Sequence, residues 1–180
     1  MAKVTLENLN KIFVSKIGKD VKAVNDFNLL LEDGEILALL GSSGCGKTTT
    51  LRMIAGFETA TSGQIKIGER IVNDLKPADR NVAMAFEGYA LYPPLTVKDN
   101  IAFSLMREKI SKDKVDSKVM EVAELLEITD ILERYPPSIS GGQQQRVSLA
   151  RALVRDSDAL LLDEPMSQLE PQLRAVLRAR

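Results

Sequence analysis

The segment Gly41-Ser42-Ser43-Gly44-Cys45-Gly46-Lys47-Thr48 has the G-x-x-x-x-G-K-[ST] spacing of a phosphate-gripping loop. It follows the apolar run from Ile36 to Leu40 and opens a segment, Lys47 to Ala55, that reads as a helix. In that setting a buried strand hands the backbone to a glycine turn. The N–H groups of the turn then converge on an anion at the positive end of the helix. Gly41, Gly44 and Gly46 permit the tight bends, and Ser42, Ser43 and Cys45 contribute backbone donors. Lys47 is placed to reach the β- and γ-phosphates, and the Thr48 hydroxyl to sit on Mg²⁺, with Thr49 beside it in the first turn. The expected ligand is a nucleoside triphosphate with its metal. Cys45 lies close to a helix N-terminus and to Lys47, a setting that favours thiol reactivity, the alternative being a small filler whose thiol is inert.

A second group of residues narrows that reading. The run Ala159-Leu160-Leu161-Leu162 ends in Asp163-Glu164-Pro165, an apolar strand closing in two acids. Such a strand lies beside the P-loop strand in a parallel sheet, its carboxyl end at the phosphates. Asp163 would hold Mg²⁺ through water, and Glu164 would face the water attacking the γ-phosphate, the alternative being a strand that ends in a solvated acidic turn. Upstream, Ser140-Gly141-Gly142-Gln143 precedes apolar positions Val147, Ala150, Leu153 and Val154 at helical spacing. Ser140 is thus a helix cap, and the glycines leave first-turn N–H groups open to a second phosphate contact. One chain rarely needs two such termini for one nucleotide. Two chains facing head to tail would use one from each.

Together these segments resemble the ATP-binding subunit of ATP-binding-cassette (ABC) transporters, over nearly the whole chain. Gly41 to Thr48 corresponds to that family's Walker A loop, Ser140 to Gln143 to its signature, and Leu160 to Glu164 to Walker B. The resemblance implies that Phe13 stacks on adenine, the alternative being a core residue of its strand. It also implies a homodimer or paired ATPase subunit, transmembrane permease subunits, and a peripheral place on the cytoplasmic side of a prokaryotic membrane. Tyr89-Ala90-Leu91-Tyr92-Pro93 and Arg151-Ala152-Leu153-Val154 look most like the sugar-importer, maltose-type branch. Residues Tyr89 to Pro94 could then form a groove for a partner's helix, or pack internally. The implied activity is ATP hydrolysis coupled to uptake of a small solute such as a sugar. Alternatives are a soluble ABC ATPase of another trade, or a regulatory nucleotide-binding module with weakened catalysis.

The chain departs from that pattern in several places. Glu87 stands where the family carries a glutamine on Mg²⁺ and the attacking water; a carboxylate accepts only, and adds a charge at the metal. Ser167-Gln168-Leu169-Glu170 replaces the usual Ser-Asn-Leu-Asp, lengthening two side chains. The chain holds no histidine, so the family's switch histidine is not within it. The simplest reading is the front portion of a longer protein, poorly active by itself; the alternative is a short, histidine-free protein.

The elements that must position these groups form an α/β P-loop core with a mostly parallel sheet, an N-terminal antiparallel β subdomain and an inserted helical subdomain. We expect residues 1–92 to hold the β subdomain and the first part of the core, and 93–156 the helical signature subdomain. Residues 157–180 are expected to hold the Walker B strand with the next loop and helix of the core. Strands are expected over Val4 to Ile12, Val21 to Leu31 and Val82 to Phe86, and a hairpin over Gln64 to Val72. Thr96-x-x-Asp99 is a capping signal for a helix from Val97 to Glu108. Val115, Val119, Val122, Leu125 and Leu126 make the apolar face of the next helix. At 180 residues and 44% hydrophobic, the chain is long enough for one core. Its formal charge of −1 sets up no field favouring nucleic acid. The single cysteine excludes a disulfide framework. No apolar run reaches the roughly 18 residues of a membrane span, so membrane association is expected through a partner.

Overall fold

Apolar residues alternating from Val4 demand a strand with one buried face, and β1 (Val4–Phe13) buries Val4, Leu6 and Leu9. The shift from even to odd positions is a bulge. The register with its neighbours slips after Leu6, and Asn8 adopts φ 50° with its N–H donating to Asn28 Oδ1 at 2.8 Å. β2 (Val21–Leu31), β3 (Ser62–Ile67) and β4 (Arg70–Ile71) complete an antiparallel sheet in the order β2-β1-β3-β4. These are the strands and the hairpin that the sequence predicts.

The computed structural model describes residues 1–15, 18–85, 91–106, 108 and 110–163. They divide into two units: Met1–Ala83 with Ser157–Leu161, and Met84–Asp156 with Leu162 and Asp163. In the first unit, α1 (Lys47–Ala55) buries Thr50, Met53, Ile54 and Ala55. It ends at Gly56, whose left-handed conformation (φ 84°) turns its N–H back to the Met53 carbonyl at 3.2 Å. Arg80, only 3% exposed, completes that end. Its Nη1 donates to the carbonyls of Met53 (2.7 Å) and Ile54 (3.0 Å), its Nε to Leu75 O and its Nη2 to Asn73 O. Burial works against the Arg80 charge and Asp74 favours it. A glycine at position 56 is required here too, because a Cβ would lie 2.6 Å from Arg80 Nε.

β5 (Val82–Ala85) and β6 (Ala159–Leu162) form a two-stranded sheet. The bonds flanking it, from Asp158 N–H to Asn81 O and from Asp163 N–H to Ala85 O, ascend together along both strands, so the pair is parallel.

The second unit is helical. Thr96 caps α2 (Val97–Phe103), its hydroxyl accepting from the Asp99 N–H at 3.1 Å. The fully buried Asn100 holds the preceding loop, accepting from Tyr92 N–H and donating to the carbonyls of Tyr92, Leu95 and Thr96. α3 (Lys112–Leu125) and α4 (Gly141–Leu153) bury Val119, Val122, Val147 and Ala150 against Ile101, Leu105 and Leu126.

The structure corrects the sequence reading twice. The helix expected to run to Glu108 stops at Phe103, after which Met106 and Glu108 bond back to Phe103 and Leu105 in successive three-residue turns. The apolar run before the P-loop is not a strand: Ile36 is 93% and Leu40 90% exposed. A strand exists only where another strand supplies its ladder, and among the described residues none pairs with 36–40. Of the expected strand Val82 to Phe86, Phe86 lies outside the described residues.

Arg80 is expected to be a keystone of the first unit. Arg80→Met removes the guanidinium from the Met53, Ile54, Asn73 and Leu75 carbonyls, leaving Met53 O only the Gly56 N–H, and should cost about 2–3 kcal/mol. Arg70→Met, which removes the exposed Arg70–Asp158 pair, should cost under about 0.5 kcal/mol. Urea unfolding monitored by circular dichroism compares them, and equal losses would refute the assignment.

Candidate nucleotide-binding site

The P-loop is shaped by one close approach. Gly46 precedes α1 with φ 93°, and a Cβ there would lie 2.3 Å from the carbonyl oxygen of Ala23 in β2. The loop can therefore dock on the strand only with a bare Cα at that position. Beyond it the helix starts with no side-chain cap and no acidic residue in its first turn. Its N-terminal partial positive charge is left for an anion. The Thr50 hydroxyl and N–H both donate to Gly46 O at 2.9 Å, fixing that carbonyl away from the loop mouth.

Lys47 folds back over the loop it belongs to. Its Nζ donates to Gly41 O (2.8 Å) and Ser42 O (2.9 Å) and lies 3.6 Å from Cys45 Sγ. A strongly hydrated ammonium is thereby held at the loop mouth by weak neutral acceptors. A triphosphate offers it full negative charges in exchange, and charge-assisted bonds are roughly twice as strong as neutral ones. Residues Gly41 to Cys45 are exposed, as are Thr48 and the free thiol of Cys45. This is a cradle whose donors and cation fit a polyphosphate.

Phe13, at the end of β1 and 41% exposed, belongs to the same unit. It is not a core residue. The Lys11 ammonium sits 4.8 Å from its ring centroid.

The second unit carries the other predicted groups. Ser140 forms a full capping box on α4: its hydroxyl accepts from Gln143 N–H at 3.3 Å, and Gln143 Oε1 accepts from Ser140 N–H at 2.9 Å. The cap engages the Gln143 N–H and not those of Gly141 and Gly142, at an exposed end. Asp163 is buried just past β6. The Tyr92 ring packs 4.6 Å from Phe103, with the Arg151 guanidinium 4.9 Å above it, so this tyrosine is half committed to its own unit. Glu87, Tyr89 and Glu164 lie outside the described residues. Among the described residues no group of three acidic or thiol side chains could hold a metal alone.

Sequence reasoning missed Lys11, Glu58 and Arg80. Lys11 was within reach, since residues two apart on a strand share a face and Lys11-x-Phe13 pairs a cation with the aromatic.

The ABC transporter family profile matches residues 24–167, which contain the P-loop, the capped α4 and Asp163. The chain belongs to the ABC transporter family. The trehalose/maltose import ATP-binding protein of Thermococcus litoralis is 50% identical over 185 residues, covering 99% of this chain and 48% of its own length. The sn-glycerol-3-phosphate import ATP-binding protein of Ruegeria pomeroyi is 48% identical over 178 residues, covering 99% and 49%. This ABC chain thus spans about half the length of the curated relatives it matches. Among solved structures, a dimeric ATP-binding cassette in a post-hydrolysis state with ADP and phosphate superposes with a TM-score of 0.89 at 27% identity. That match covers 98% of this chain and 80% of the other. The likeness to import proteins and the mixed α/β cassette fold both agree with the sequence reading.

The loop geometry makes Cys45 a reporter. Nucleotide in the cradle would cover its exposed thiol, so ATP–Mg²⁺ should slow alkylation of Cys45 several-fold. Mass-spectrometric labelling rates measure this, and equal rates with and without nucleotide would place the phosphates elsewhere.

Proposed function

We propose that the chain is the ATP-binding part of an ABC importer subunit that hydrolyses ATP to drive uptake of a small solute of the sugar class. The observation that carries this is the P-loop, an uncapped helix start with Lys47 poised over it, in a chain about half identical to import ATP-binding proteins. Phe13 receives the adenine. The backbone donors of residues 41–49 and the Lys47 ammonium grip the phosphates. Thr48, Asp163 and Glu87 are the residues that would hold Mg²⁺, which when bound neutralises charge on the phosphates. Glu164 orients the attacking water, and Lys47 stabilises charge developing on the γ-phosphate.

Ser140, Gly141, Gly142 and Gln143 serve the nucleotide of a second subunit, head to tail. The exposed end of α4 and the dimeric form of the similar cassettes support that arrangement. No helix among the described residues is long and apolar enough to cross a membrane. In this reading the subunit sits at the cytoplasmic face of the membrane through permease partners, which choose the solute.

The test uses the full-length subunit with its permease. Glu164→Gln should leave ATP affinity within about twofold, lower kcat by on the order of 10²-fold or more, and trap an ATP-bound dimer. Unchanged turnover would contradict the role of Glu164. Glu87→Gln should weaken Mg²⁺ dependence of ATP binding and, in chelator, tighten metal-free ATP binding by relieving repulsion. Superimposable titrations would place Glu87 away from the metal.

A further inference from the structure

Phe13 does not stand alone. Lys11, two residues earlier on β1, projects its ammonium over the ring and is held there from two other directions. Its Nζ lies 2.7 Å from Glu58 Oε1 and donates to Thr59 O at 2.8 Å, and its side chain is only 12% exposed. Glu58 in turn is fixed by the end of the P-loop helix. The N–H groups of Phe57 and Glu58 both donate to Arg52 O, at 2.9 and 3.2 Å. The Thr59 N–H donates to Glu58 Oε1, and the lysine holds the Glu58 carboxyl below its usual range. Two further bonds tie the end of β1 to the same segment, from Ile12 N–H to Thr61 Oγ1 at 2.9 Å and from Thr61 N–H to Asn10 O at 2.8 Å. A continuous chain of contacts thus runs from α1 through Glu58 and Lys11 to the Phe13 ring.

We propose that Lys11 is a positioning residue for the base: anchored by Glu58 to the end of the P-loop helix, it occupies one face of Phe13 and leaves the opposite face to adenine. The reasoning is electrostatic and geometric. A cation on one face draws ring electron density toward itself, which makes the opposite face a better stacking surface for an electron-rich purine. A ring held at a fixed place relative to the phosphate loop loses less freedom on binding. The proposal rests on the reading of Phe13 as the base platform.

The test compares ATP with inorganic tripolyphosphate, which engages the phosphate loop and has no base. Dissociation constants are measured for the full-length protein and for Phe13→Ala, Lys11→Met, Lys11→Arg and Glu58→Gln. Lys11→Met and Glu58→Gln should each weaken ATP binding by roughly 3- to 10-fold and leave tripolyphosphate within about twofold. Lys11→Arg, which keeps a cation for ring and carboxylate, should recover most of the loss. If Phe13→Ala does not weaken ATP binding, the platform reading itself fails. If Phe13→Ala weakens it and Lys11→Met does not, the role of Lys11 alone is overturned. Equal weakening of ATP and tripolyphosphate by Lys11→Met would make Lys11 a structural residue and would equally overturn the proposal.

Discussion

The carbonyl oxygen of Ala23 occupies the space that a side chain at position 46 would need. Everything the phosphate loop does depends on that contact. It presses the turn against β2, sets Gly46 in the left-handed region and fixes the direction in which α1 leaves. With the helix start fixed and without a side-chain cap, its positive end is set beside Lys47, which waits on two carbonyl oxygens. An anion completes both ends of this arrangement at once. It supplies acceptors to the helix and a counter-charge to the lysine.

The far end of α1 is held with equal care. Gly56 closes the helix with its N–H on the Met53 carbonyl, and Arg80 directs its guanidinium to that carbonyl and to the one of Ile54. A short helix of nine residues is marginal by itself, so its orientation is set by what grips its two ends. The same C-terminal end carries Glu58, and through Lys11 it reaches the aromatic ring on β1. The Phe13 ring and the phosphate loop therefore share a scaffold, although they lie far apart in sequence.

Local signals were legible. The period-two pattern located β1 and β2, Thr96 and Ser140 marked their helices, and the P-loop spacing named its ligand. The capping box on α4 follows directly from a serine and a glutamine three residues apart. What escaped were interactions with no local period. Arg80 recognises helix carbonyls 26 and 27 residues away, a partnership no spacing rule encodes. Helix 97–103 ends early because the chain turns to three-residue bonding after Phe103, while Ile101 and Leu105 remain buried on a pattern that still reads as helical. The run at 36–40 is apolar enough for a buried strand, but a strand is a property of pairs, and no described partner lies beside it.

The central claim is that the docked glycine at position 46 makes the anion cradle, and one calorimetric comparison tests it directly. ATP–Mg²⁺ is titrated into the full-length protein and into Gly46→Ala, with circular dichroism confirming that both are folded. A methyl group at that position meets the Ala23 carbonyl and forces a left-handed alanine, strain of about 1–3 kcal/mol before the clash is counted. The account predicts a folded Gly46→Ala protein whose ATP affinity falls at least about tenfold. A folded variant that binds ATP as tightly as the natural sequence would contradict it.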